Sequence, residues 1–145
     1  MGSTSGQNKF STKEENEMYF NVIYSTTIKT ATDLAKSINK VLRDTIGADM
    51  IQDYLELLNS EFIFASIQFR KSYKELELIL KNYRLSVTGN PKALAIIYAH
   101  FRIVESYSNF QKAKDNFAVT KDQKNLIMSL RIVRRQIRAI YVCKY

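Results

Sequence analysis

Arg131, Arg134, Arg135 and Arg138 fall within eight positions of the closing stretch RIVRRQIRAIYVCKY. A guanidinium forks two phosphate oxygens at once, and a row of them spaced by helical turns can follow a phosphate backbone. At 100° per residue these four and Lys124 gather on one side of a helix. Leu126, Leu130, Val133, Ile137 and Ile140 gather on the other. The competing reading is a solvated outer face whose cations also suit a helix C-terminus. No acid interrupts the arginine row, which favours phosphate.

Two further basic rows have helical spacing. Lys29, Lys36, Lys40 and Arg43 form one, and Arg70, Lys74, Lys81 and Arg84 form the other. Asp33 and Asp44 flank the first, Glu75 and Glu77 the second, as in solvating faces with local ion pairs. Arg70, Lys74, Lys81 and Arg84 are carried with Lys124 and the four arginines as candidate nucleic-acid contacts. Nine Tyr and eight Phe could stack bases, but at helical spacing most belong to a core.

Other chemistries find no set of residues. His100 is the only histidine and Cys143 the only cysteine, so neither a Cys/His zinc set nor an internal disulfide can form. Arg84, the nearest arginine before His100, is sixteen residues away, too far for the Arg–His spacing of helical nucleases. There is no glycine-rich phosphate loop, and no carboxylate spacing sets a working pair apart from surface charge. The expectation is a protein that is not an enzyme, with no catalytic residues, metal, cofactor or small-molecule ligand.

The elements that must position these rows are helices. With 145 residues, 46% of them hydrophobic, the chain suits one domain with a substantial core. Four glycines and one proline are too few for a many-turned β fold. A capping-box spelling, Thr12 then Glu15, opens a first series: Phe20, Ile23, Ala31, Leu34, Ile38, Val41 and Leu42. Its β-branched middle, YSTTIKTAT, allows a break near Tyr24–Thr27, and Gly47 suits its end. Asp49 then Gln52 opens a second series, from Ile51 through Leu55, Leu58, Phe62, Ala65, Phe69, Tyr73, Leu76 and Leu80 to Tyr83. At about 36 residues that helix is roughly 54 Å long. Asn90 caps and Pro91 starts a third helix, to about Phe117, and Thr120 then Gln123 starts a fourth. Short links between them predict an all-α, up-and-down bundle of about four long antiparallel helices. Residues 1–11 read as a flexible N-terminal arm or an expression remnant, and 12–145 as a single helical-bundle domain.

Two helices carry more apolar surface than one stripe. Leu57, Phe64, Ile67, Leu78 and Leu85 lie opposite the core series of the second. Ile96, Ile103, Phe110 and Phe117 recur at sevens on the third, beside Ile97, Phe101 and Val104. Both sets are expected at an interface with another copy or a helical protein partner, the alternative being burial within one bundle.

A net charge of +8 favours acidic partners. The leading expectation is a basic subunit that binds DNA or RNA through phosphates, without strong sequence specificity, and self-assembles or joins a nucleoprotein complex. The alternative is a protein–protein interaction module (adaptor, inhibitor or complex subunit) whose basic face meets an acidic partner. With no apolar run long enough to span a bilayer and no secretory signal, an intracellular setting, cytoplasmic or nucleoid/nuclear, and not a secreted one, is expected.

Overall fold

A computed structural model describes residues 13–44, 48–83 and 89–142. The chain forms four helices: α1 (Lys13–Asp44), α2 (Ala48–Tyr83), α3 (Pro91–Thr120) and α4 (Gln123–Val142). They pack as an all-α four-helix bundle, with no strand among the described residues. The N-terminal arm, Thr12, Gly47, Arg84, Leu85 and Cys143 lie outside those residues.

The break that the sequence allows near Tyr24–Thr27 does not occur; α1 is continuous. The hydroxyls of Thr26, Thr27, Thr30 and Thr32 donate to the carbonyl oxygens four residues back, at 2.8–3.0 Å. These bonds satisfy the threonines inside the helix, and packing of Ile23, Thr27 and Ala31 outweighs weak propensity.

At the α2–α3 link, Gly89 has φ +87°, a left-handed conformation open to glycine without strain. Asn90 then caps α3, its Oδ1 accepting from the Ala93 amide at 3.0 Å, with Pro91 at the first helical position. At the α3–α4 link two sequence assignments shift. α3 runs past Phe117 to Thr120 and closes on Lys121, whose left-handed backbone (φ 56°) lets its N–H reach the Phe117 carbonyl at 2.9 Å. The cap of α4 is Asp122 rather than Thr120: its Oδ1 accepts from the Asn125 amide at 3.1 Å, while the Thr120 hydroxyl serves the end of α3. Likewise α2 begins at Ala48, which puts Asp49 inside the first turn and not at the cap.

The α2 series packs as its spacing predicts from Ile51 to Leu76, except that Tyr73 is only partly buried and Ser72 is buried beside it. Phe62 stacks on Phe110 (4.8 Å) and Tyr107 (5.7 Å), which ties α2 to α3 at mid-height. Asn59 accepts from Tyr107 Oη (3.4 Å) and Gln111 Nε2 (3.3 Å), whereas Tyr73 meets His100. Position rises on one helix as it falls on the other, so α2 and α3 are antiparallel. α1 packs on α2 and α4, and α3 packs on α2 and α4. α1 and α3 also touch across the middle, leaving α2 and α4 at opposite corners.

Candidate nucleic-acid interface

The apolar stripe of α4, Leu126, Leu130, Val133, Ile137 and Ile140, is buried without exception. Its burial turns Lys124, Arg131, Arg135 and Arg138 outward, and all four are exposed. Arg134 is only partly so, because it lies at the seam with α1, where its Nη1 donates to Asn39 Oδ1 at 2.9 Å.

That bond has a consequence for charge. Arg131 and Arg138 stand three residues before and four after Arg134, on the same side of α4. Lys36 and Arg43 stand three before and four after Asn39, on the same side of α1. The Asn39–Arg134 bond therefore sits at the centre of a composite basic face built from both helices, and Lys40 extends it. Among the described residues, Arg43 is the one cation of this face in an ion pair, with Asp44 at 3.1 Å, while Asp33 stands one turn before Lys36. α4 carries no Asp or Glu. The row from Lys124 to Arg138 is about 21 Å long, which spans roughly six phosphate steps of one strand at ~3.4 Å each.

The second candidate row is elsewhere. Arg70, Lys74 and Lys81 are exposed on α2, the corner opposite α4. Arg70 lies towards α3, close enough to His100 to act on its titration. The sequence grouped the α2 row with the α4 arginines; the bundle instead joins them to Lys36, Lys40 and Arg43 of α1. The usable signal was topological, because an up-and-down bundle of four places its first and last helices side by side.

The apolar candidates separate in the same way. Leu57, Phe64, Ile67 and Leu78 are 57–60% exposed on α2. Ile96, Ile103, Phe110 and Phe117 are at most 1% exposed, which corrects their assignment to an interface with a partner. They form the inward face of α3, and burial against α1, α2 and α4 accounts for the seven-residue series. The adjacent stripe of α3 is the one left out, with Phe101 and Val104 about as exposed as the α2 set.

His100 lies flat on Tyr73, with ring centroids 4.4 Å apart and 11° between planes, and Phe101 meets both rings edge-on. Burial, then the charge of Arg70, hold its pKa below the usual value of 6.5, and Glu77 opposes them weakly. A wide groove of about 530 Å³ runs between α1 and α2 past Thr30, Asp33, Glu61 and Phe64. Its carboxylates are engaged: Asp33 accepts from Lys29 at 2.9 Å and Glu61 from the Ser37 hydroxyl. Among the described residues no group of three or more His, Cys, Asp or Glu could hold a metal ion. None of their helices is long and apolar enough to cross a membrane.

No protein-family model, curated protein or solved structure matches this chain.

Proposed function

We propose that this chain is a non-enzymatic helical-bundle subunit that holds the phosphate backbone of DNA or RNA on the face shared by α1 and α4. The observation that carries the reading is the Arg134–Asn39 bond at 2.9 Å, which sets an acid-free arginine row beside a second basic row. A cluster of this kind, neutralised only at Arg43, attracts a polyanion from a distance and releases its counterions on contact. Recognition is by charge and spacing, so affinity is expected to vary little with base sequence.

Replacing Arg131, Arg134, Arg135 and Arg138 together with Gln tests the reading, because the core stripe of α4 is untouched and glutamine keeps good helix propensity. Binding to a generic duplex should weaken for all sequences alike. The slope of log affinity against log salt should flatten by roughly 0.9 for each duplex phosphate that the variant no longer neutralises, or ~0.7 on a single strand. A parent chain that ignores nucleic acid at low salt would reject the proposal. The exposed apolar residues of α2 favour a second reading, a protein-interaction module whose basic face meets an acidic protein. A protein partner held through the apolar residues of α2, with binding little changed by salt, would favour that module.

A further inference from the structure

The charges of α2 are sorted along its length. Its first half, residues 48–65, holds Asp49, Asp53, Glu56 and Glu61 and no base. Its second half holds Arg70, Lys71, Lys74 and Lys81 against Glu75 and Glu77. Between the two, Ile63, Phe64 and Ile67 are exposed by 43%, 59% and 60%. Asp53, Glu56, Lys71 and Lys74 lie on the outer side of the helix, and none forms an ion pair among the described residues.

We infer that a second copy of this chain docks antiparallel along α2, about a two-fold axis passing between Ile63 and Phe64. Turned about that point, the helix matches itself. Asp53 meets Lys74 of the other copy, Glu56 meets Lys71, Ile63 meets Phe64, and Ile67 lands on the small Ser60. The outward positions 53, 56, 60, 63, 67, 71 and 74 keep the three-and-four spacing of a helix–helix seam. A parallel pairing would set acids against acids and bases against bases. A two-fold interface is self-complementary by construction, which a charge-sorted helix satisfies and a uniformly charged one does not. The strip from Asp53 to Lys74 is about 32 Å long and ~10 Å wide, below a standard interface, so the dimer is of the weak, transient kind.

Because α4 stands at the corner opposite α2, the two basic faces end on the outer sides of the dimer. On the phosphate-binding reading, and only on it, the dimer bridges two nucleic-acid segments instead of clamping one.

Sedimentation equilibrium of the full chain, without nucleic acid, is the test. The parent should pass from monomer to dimer between about 1 and 100 µM. Phe64→Ser with Ile67→Ser should remain monomeric at the top of that range, and should melt close to the parent at concentrations where both are monomeric, since both side chains are exposed in the single copy. Glu56→Lys should weaken dimerisation about tenfold or more by setting lysine against Lys71, and adding Lys71→Glu should restore it to within about threefold. A parent that is monomeric throughout would overturn the inference. So would a dimer that survives the serine pair, or a charge swap that fails to rescue Glu56→Lys. Loss of duplex bridging with dimerisation intact would instead count against the phosphate reading.

Discussion

α4 and α2 occupy opposite corners of one bundle and differ in the charge of their outer surfaces. α4 buries one apolar stripe, and its outer face is basic with no acid anywhere on the helix, with Met128, Ile132 and Val142 exposed singly among the cations. α2 is buried along one side and still exposes Leu57, Ile63, Phe64, Ile67 and Leu78, with its charges sorted by half. The core asks the same of both, a continuous inward stripe. The difference lies in what remains. Charge on α4 acts over about a Debye length and is blunted by salt, whereas apolar surface on α2 acts only on contact and is not screened by salt. One corner is suited to capturing a polyanion, the other to close packing against a shape.

The largest expected effect separates inward from outward apolar residues. Phe110→Ala should cost roughly 3–5 kcal/mol of unfolding free energy, because it leaves a cavity against Phe62. Phe64→Ala, at an exposed position, should stay within about 0.5 kcal/mol under conditions where the chain is monomeric. Urea titrations of the two variants check this, and equal losses would mean that the apolar faces of α2 and α3 have been assigned wrongly.

Next comes a contrast between basic rows. Lys36→Gln, Lys40→Gln and Arg43→Gln together should flatten the salt slope of nucleic-acid binding by roughly 2–3, since these residues belong to the α4 face. Arg70→Gln, Lys74→Gln and Lys81→Gln together should change it by less than about 1. If the α2 triple has the larger effect, phosphate is held at the α2 corner and the α1–α4 face is a solvated back.

A smaller effect tests the turn that positions α4. Asp122→Ala removes the side chain that accepts from the Asn125 amide and should cost about 1 kcal/mol. Thermal melts should show the loss, with Asp122→Asn or Asp122→Ser recovering most of it.

The smallest is a pH effect at the α2–α3 seam. The folded-state pKa of His100 is depressed, so as pH falls below about 6.5 the unfolded chain takes up a proton that the folded chain resists. The His100 contribution to stability is complete above that pH and declines below it. His100→Phe keeps a ring on Tyr73 and should reduce the loss of stability between about pH 7 and 5. An unchanged acid limb would mean that His100 titrates alike in both states.

Much of this fold was legible because helix formation is written locally. The α2 series from Ile51 to Leu76, the Asn90–Pro91 start of α3 and the α4 stripe from Leu126 to Ile140 follow from residues a few positions apart. The break allowed near Tyr24–Thr27 and the cap assigned to Thr120 were also local readings, but there a neighbour outweighed propensity: packing kept α1 whole, and Asp122 provided the better cap. The candidate face was half legible. Arg131, Arg134, Arg135 and Arg138 share a side of a helix whatever surrounds it, so the sequence alone determines that row. It cannot say that Lys36 and Arg43 complete the row, that Arg70 stands at the far corner, or that Phe110 is buried while Phe101 is not. A helical wheel orders residues around one axis only. Which of two apolar stripes turns inward, and which rows become neighbours, is decided when four axes pack together and the largest apolar area leaves water.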